Sequence, residues 1–438
     1  MCSTICALHQ GRETFQINGR IVWVIAINIM LMKTLILPKL STITLVLLFL
    51  ASCSKQEDSA LTNLKVERTD NSRAMRMEQK SISTDMVLGD HVNGVDYIIK
   101  ENVEVSANLT IMPGVTIQFE DNAGLQINQS GSIRAIGANG NLIYFTSKSG
   151  KRSSWKGITI LSTSNKNSIS YAKIEHGGAD NSFGTGNLII GNARNLASLE
   201  LSNSEITASG TIGITLGEAS KLTGFVANKI HTNSSYPVSL CIADAGNMND
   251  LNELRNNGKE FFRFTGSSSG IISKEITLGK LLEPVLITGT VVAGNKFNLL
   301  AGTRIAMDEH AEIIIDGIAG NGSFSAIGTS SQPITIAAPF TGSGVWNSIR
   351  FRSSNSALNR IEYCNISGGG GSNSHINNGM ITVVNDNGGS GNITIRNSSI
   401  TNSAASGIFI QNSASVYNKD IVSSNSFSNN ANGNVYFE

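Results

Sequence analysis

Charge is scarce in this chain, at 15% of residues, and the two signs nearly cancel to a formal net charge of +1. No basic cluster breaks that balance, which argues against a nucleic-acid partner. Aromatic residues are only 6% and prolines number six. So few prolines leave long stretches free to pair as strands. Cysteines number five, with no CxxC and no Cys/His spacing of a metal site, so neither a metal nor a cofactor is implied. Cys241 and Cys364 stand alone in apolar strand patterns and read as buried free thiols. Helical periodicity is missing after residue 90, apart from a short stretch at 251–257.

What the chain has is glycine, 44 of 438 residues, and a second half crowded with Ser and Asn, as in 424–433. This is not a disordered composition, because short Ile/Val/Leu runs recur throughout. They also recur in order. Segment 109–119 (LTIMPGVTIQF) returns at 297–307 (FNLLAGTRIAM). Ala135, Ile136 and Gly137 return as Ala326, Ile327 and Gly328, and Trp155 returns as Trp346. Segment 169–174 (ISYAKI) returns at 361–366 (IEYCNI), and Gly213-Ile214 returns as Gly407-Ile408. The small drift in offset is what loop insertions produce. An internal repeat built from short strands is a solenoid signal.

Within the first copy the strands form columns. Residues 158–160, 188–190, 214–216 and 238–240 make one. Ile169/Tyr171/Ile174, Leu199/Leu201/Ile206 and Leu222/Phe225/Ile230 make another. Steps of 23 to 30 residues suit one coil of a parallel β-helix. Asn203, Asn397 and Asn425 mark bends, because Asn tolerates left-handed backbone and stacks on its copy one coil away. The expected fold is all-β: a right-handed parallel β-helix with an internal duplication, copy one at 94–284 and copy two at 285–438, in one continuous stack. Weak stacking or a protruding loop is expected at 247–259. Tandem β-sandwiches are the alternative.

Segments 109–119, 131–137 (GSIRAIG), 143–147 (IYFTS) and 155–158 (WKGI) resemble a family of secreted right-handed β-helix repeat proteins. Many of its members are lipoproteins or cell-surface proteins. The resemblance covers 95–438 and rests on scaffold motifs, so it implies the fold and no activity. Copy two departs from it at 300–302 (LAG for MPG) and 346–349 (WNSI for WKGI).

The N-terminal segment carries an address. Met32 and Lys33 open a basic n-region with Lys39, followed by the apolar run 43–50 (ITLVLLFL) and Leu50-Ala51-Ser52-Cys53. That order is a secretory signal, and its ending resembles the bacterial lipobox, which implies lipidation of Cys53. The run is too short to span a bilayer. Residues 1–31 fit poorly and read as upstream of a true start at Met32 or Met30. Segment 32–52 is then the signal peptide, and 53–93 the lipidated Cys and a polar, flexible tether. Ser54 beside Cys53 suits outer-membrane sorting. Lys55, Glu57 and Asp58 resemble a surface-export signal. The expected location is the outer membrane, lipid-anchored and exposed at the cell surface.

Chemistry is harder to find. β-helix enzymes that act on acidic polysaccharides carry Asp clusters or Arg-x-Lys segments, and neither is present. Glu120-Asp121 and their copies Asp308-Glu309 follow strands, where a solvated bend is expected. Glu175, His176 and Asp180 make the best acid/base grouping, though in a Gly-rich bend. Trp155 and Trp346 occupy equivalent positions, which favours a scaffold role. An exterior ladder is the better candidate. Aligning 349–351, 380–382, 408–410 and 435–437 points Arg350, Ile381, Phe409 and Tyr436 outward, with Arg352 and Gln411 alongside. Rings and guanidinium groups at the coil pitch suit a sugar chain. The expected function is a non-catalytic surface lipoprotein that binds glycan or serves as an adhesin or spacer, with a polysaccharide as partner and the membrane reached through the lipid. The alternative is a polysaccharide lyase or glycoside hydrolase.

The lipobox generates a direct test. Metabolic labelling with a fatty-acid analogue is expected to mark the wild-type protein, and Cys53→Ala to abolish the label and release the protein from the membrane. Equal labelling of both forms refutes lipidation at Cys53.

Overall fold

The computed structural model describes residues 14–17, 20–23, 66–69, 72–91, 93–371, 379–386, 389–411 and 415–438. Segment 32–52, expected to be a signal peptide, and Cys53 lie outside them. The chain divides into two units, 1–58 and 59–438. The described part of the first is an antiparallel hairpin, Thr14–Ile17 with Arg20–Trp23.

The second unit is a parallel β-helix. Tyr97–Ile99, Asn102–Val105 and Asn108–Ile111 make one coil. Thr116–Phe119, Gly124–Ile127 and Ser132–Ile136 make the next. Each strand pairs in parallel with its predecessor, as Ile117↔Tyr97, Leu125↔Val103 and Ile133↔Leu109. Alternation decides which residues go inside: Asn108–Ile111 and Thr116–Phe119 both bury every second residue. Ile117, Phe145, Ile174, Ile206, Ile230 and Leu254 consequently stack in one interior file. Burying each such side chain contributes about 1.5–3 kcal/mol, and a single apolar core runs from Met77 to Ile421. Trp155 and Trp346 are both fully buried in it, their indole N–H groups donating to the Glu175 and Ser367 carbonyls at 2.8 and 2.9 Å.

The second column read from the sequence is two strands, not one. Ser168–Ser170 turns at Tyr171 (φ 48°) into Ala172–Glu175, and Ser198–Ser202 passes through Asn203 (φ 50°) before Glu205–Thr207. Tyr363 (φ 49°) and Asn397 (φ 52°) repeat the corner in copy two. A single left-handed residue turns the chain sharply without a loop, so the corner leaves no gap in the apolar pattern.

Polar files brace the corners. The Ser204 N–H donates to Asn228 Oδ1 at 3.0 Å, and Asn228 N–H to Asn252 Oδ1 at 3.1 Å. Asn228 Nδ2 also donates to the Leu201 carbonyl at 3.1 Å. Copy two repeats the motif, with Ser398 N–H on Asn425 Oδ1 at 3.0 Å. These buried and half-buried side chains satisfy backbone groups that the bend takes out of the ladder.

Among the described residues five sheets line the solenoid. The first half winds through sheet one (nine strands, ending at Glu253–Arg255), sheet two (fourteen strands) and sheet three (six strands, ending at Lys221–Val226). The second half winds through sheet two again, then sheet four (seven strands from Ile271–Ile272) and sheet five (six strands from Ile276–Leu278). Equivalent strands of the two copies therefore lie in different sheets. Thr116–Phe119 is in sheet one, but its copy Arg304–Met307 is in sheet two. Ile158–Ile160 is in sheet two, but its copy Ile349–Arg352 is in sheet four. The second copy is turned by one face about the axis. Only sheet two runs unbroken through the junction, and the 3-10 helix Ile242–Asn247 stands where the next strand after Val238–Cys241 belongs.

Two boundaries differ from expectation. The body begins before residue 94: Ser72–Met77 pairs with sheet one as Met75↔Tyr97, and Met86–Leu88 pairs with Asn108–Ile111. The polar character of this stretch hides its few inward residues, Met77, Ile82, Met86 and Leu88. Copy two likewise begins before 285, at Ile271. Within 247–259, the stretch expected to stack weakly, Glu253–Arg255 pairs in full register with Lys229–His231, and the irregular element is the helix Ile242–Asn247 at its start.

Asn228→Ala leaves the buried Ser204 N–H without its acceptor. Urea unfolding is expected to show a loss of roughly 1–3 kcal/mol. Asn165→Ala, at an exposed position outside the left-handed region, is expected to change the midpoint little.

Candidate functional site

The strand register of sheet four sets the exterior row as Ile271, Val292, Ile314, Arg350, Thr382, Phe409 and Tyr436. The ladder expected from sequence is in place except that Thr382 replaces Ile381, which points inward between Ile349 and Ile408. The strand Gly379–Val384 is buried at every position. It shows no alternation, so its register is not legible from the pattern.

Exposure differs from the expected open platform. Phe409 is 2% exposed, whereas Tyr436 is 50% exposed. Their rings stack at 5.7 Å with planes 8° apart, close to the coil spacing and in offset-stacking range. Arg350 Nη2 meets Asp386 Oδ2 at 2.7 Å, and its side chain is 14% exposed. Arg352 pairs with the buried carboxylate of Asp316. Gln411 Oε1 accepts the Asn385 N–H at 2.9 Å. The two arginines are thus neutralised rather than free. Each acid lies 36 residues from its arginine, one coil away.

These arginines and their neighbour are not fully satisfied within the protein. Nε of Arg350, Nε of Arg352, and both side-chain amide atoms of Asn385 are buried without a hydrogen-bond partner. Such orphans are rare in native folds and ask for an explanation. These four fall on adjacent coils, those of Ile349–Arg352 and Gly379–Val384.

The acid/base candidates of copy one lie on sheet one. Glu175 and His176 come together, with His176 Nδ1 at 3.8 Å from Glu175 Oε1. Asp180 is exposed and does not join them. The neighbours that do come from other strands. Lys173 Nζ bridges Glu175 Oε2 at 3.2 Å and Glu205 Oε1 at 3.4 Å, and His231 Nε2 meets Glu205 Oε1 at 3.1 Å. Thr146 Oγ1 donates to Glu175 Oε1 at 2.9 Å. Sequence reasoning missed Lys173, Glu205 and His231, because only the register Lys173↔Glu205↔Lys229 brings their coils together. Burial would push the Lys173 ammonium down, but the two carboxylates outweigh it and hold it above its ordinary value. In copy two the corresponding positions are Asn365, Ser367, Ser399 and Ser428. The scaffold therefore stacks equally well without these charges.

Other reactive groups are silenced. Burial pushes the Cys241 thiol up to about 11 and the Cys364 thiol to about 12, so neither is a nucleophile near neutral pH. Among the described residues no group of three or more His, Cys, Asp or Glu is placed to hold a metal ion. Comparison of the chain with protein families, with curated proteins and with solved structures gives no match.

The Asp316–Arg352 pair makes a pH-dependent prediction. Burial would raise the Asp316 carboxyl, but Arg352 and the N–H groups of Ile318 and Ala319 outweigh it and hold it below its ordinary 3.8. A depressed folded value means stability that is complete above pH 3.8 and lost as pH falls through the lower folded value. Asp316→Asn is expected to cost roughly 1–3 kcal/mol at pH 7. The gap to wild type should close in urea titrations carried below pH 3.8. A gap that persists unchanged at low pH refutes the assignment.

Proposed function

We propose that this chain is a non-catalytic, cell-surface glycan-binding protein. Its β-helix body is tethered to the outer membrane through a lipid on Cys53, and its glycan site is on the copy-two end of sheet four. The observation that carries the reading is the stacked ring pair on the exterior row of Arg350, whose outer member, Tyr436, is half-exposed. A sugar ring offers the complement, an apolar C–H face for Tyr436. Gln411 sits at the same end of the sheet, already tied to the Asn385 backbone. The ion pairs hold the guanidinium planes fixed, so little rotamer entropy is left to lose on binding. An adhesin or spacer role uses the same rigid rod.

A second reading has one observation behind it. The carboxylates of Glu175 and Glu205, with His176 and His231, form a half-buried group that copy two dispenses with. Two carboxylates with neighbouring imidazoles are the parts of a polysaccharide lyase or glycoside hydrolase.

A glycan array followed by a reducing-end and unsaturated-product assay on each hit separates the two. Retention without product supports binding. Product that disappears in Glu205→Gln supports the enzyme. For the binding site, Tyr436→Ala is expected to weaken retention at least tenfold, about 1.4 kcal/mol, with unfolding unchanged. Phe409→Ala, at a buried ring, is expected to cost roughly 3–5 kcal/mol of stability. Retention unaltered by Tyr436→Ala removes sheet four from the binding site.

A further inference from the structure

The turn between the two copies leaves a seam. Sheet three stops at Lys221–Val226 and sheet four starts at Ile271–Ile272, and between them only the short helix Ile242–Asn247 is interposed. Away from the junction each coil covers the strand edges of its neighbour. Here the edge is closed by a side chain instead, with the Leu222 N–H donating to Asn247 Oδ1 at 3.1 Å. A cleft of about 520 Å³ opens along the seam, inside the range of about 300–1,000 Å³ usual for small-ligand sites.

The lining is chemically selective. Glu218 and Asp244 face Lys221 and Lys274, so its formal charges cancel, and Ile271 adds an apolar patch. Asp244 is 5% exposed. Its Oδ2 accepts the Ala219 N–H at 2.7 Å, while Oδ1 has the Lys274 ammonium at a long 3.4 Å. Glu218 takes hydrogen bonds from the Ser267 hydroxyl and from the N–H and hydroxyl of Ser268, the latter two at 2.9 and 2.8 Å. A strongly charged ligand would have to break these pairings and strand a buried charge. A wholly apolar ligand would desolvate four charges without replacing their water. A ligand with many hydroxyls leaves those pairings intact, meets the exposed ammoniums of Lys221 and Lys274, and lays a C–H face on Ile271.

We infer that the seam cleft is a binding site for a short neutral saccharide. The inference shares its ligand class with the surface reading above and is otherwise independent of the Phe409–Tyr436 pair. The seam also explains a local irregularity that the scaffold has no need of. A solenoid that stacked without the turn would leave no exposed edge, and such departures from regularity concentrate at functional sites.

The test uses the full chain and four probes, the neutral hexasaccharides of cellulose, xylan, mannan and chitin, titrated calorimetrically. The background is Tyr436→Ala, which removes the surface ring. At least one probe is expected to bind that variant, and adding Lys274→Gln or Asp244→Asn is expected to weaken it at least tenfold. Lys274 is largely exposed, so Lys274→Gln keeps the fold and guards against a loss that only reports unfolding. Binding by wild type that Tyr436→Ala abolishes entirely overturns the cleft and leaves the surface reading standing. Binding that survives Tyr436→Ala and falls with Lys274→Gln sustains the cleft and counts against the ring pair. No binding of any probe to the Tyr436→Ala variant, binding indifferent to both cleft substitutions, or tighter cleft binding of an acidic hexagalacturonate overturns the inference.

Discussion

Every coil of this solenoid presents unpaired backbone N–H and C=O groups above and below, and only another coil satisfies them without water. That constraint orders the rest of the structure. It forces strands of successive coils into parallel register, stacks inward residues into files such as Ile117–Phe145–Ile174, and makes corners the difficult places. Corners are solved by left-handed residues and by buried and half-buried Ser and Asn side chains that take over backbone pairing, as Asn228 and Asn425 do. The same role at equivalent positions in both copies shows that corner chemistry belongs to the scaffold.

The junction is where the constraint is met only in part. Turning copy two by one face keeps sheet two continuous and breaks the sheets on either side. Sheet two carries the stack across the break, so core packing persists from Phe264 to Ile287 and on to Met307. The broken sides expose edges that polar side chains cover. A cleft follows from that geometry without any loop having to form it.

The exterior carries what distinguishes the copies. Interior positions and corner residues repeat, whereas outward positions diverge: Lys173 and Glu175 against Asn365 and Ser367, Thr159 against Arg350. Outward residues are free to vary because stacking does not depend on them. Function on such a rod therefore lies in register, in which side chains from different coils are brought side by side. Lys173 bridging Glu175 and Glu205 is one such case, and Phe409 under Tyr436 is another.

The sequence alone determined the solenoid, its duplication, the tryptophans as scaffold and the isolated thiols, because buried positions repeat at coil spacing and constrain residue type. It also placed Arg350, Phe409 and Tyr436 on one exterior row, by aligning 349–351, 408–410 and 435–437 on their middle residues. Tertiary structure decided the rest. The register of Gly379–Val384 was hidden by a strand apolar on both sides. Tyr171 and Tyr363 as corners were hidden because a left-handed residue need not be Gly or Asn. The partners of Arg350 and Arg352 lie one coil away, and the turn between copies depends on how many strands intervene rather than on what any of them contains. Each of these is a relation between coils, and local sequence carries no signal for a contact whose two sides are joined only by stacking.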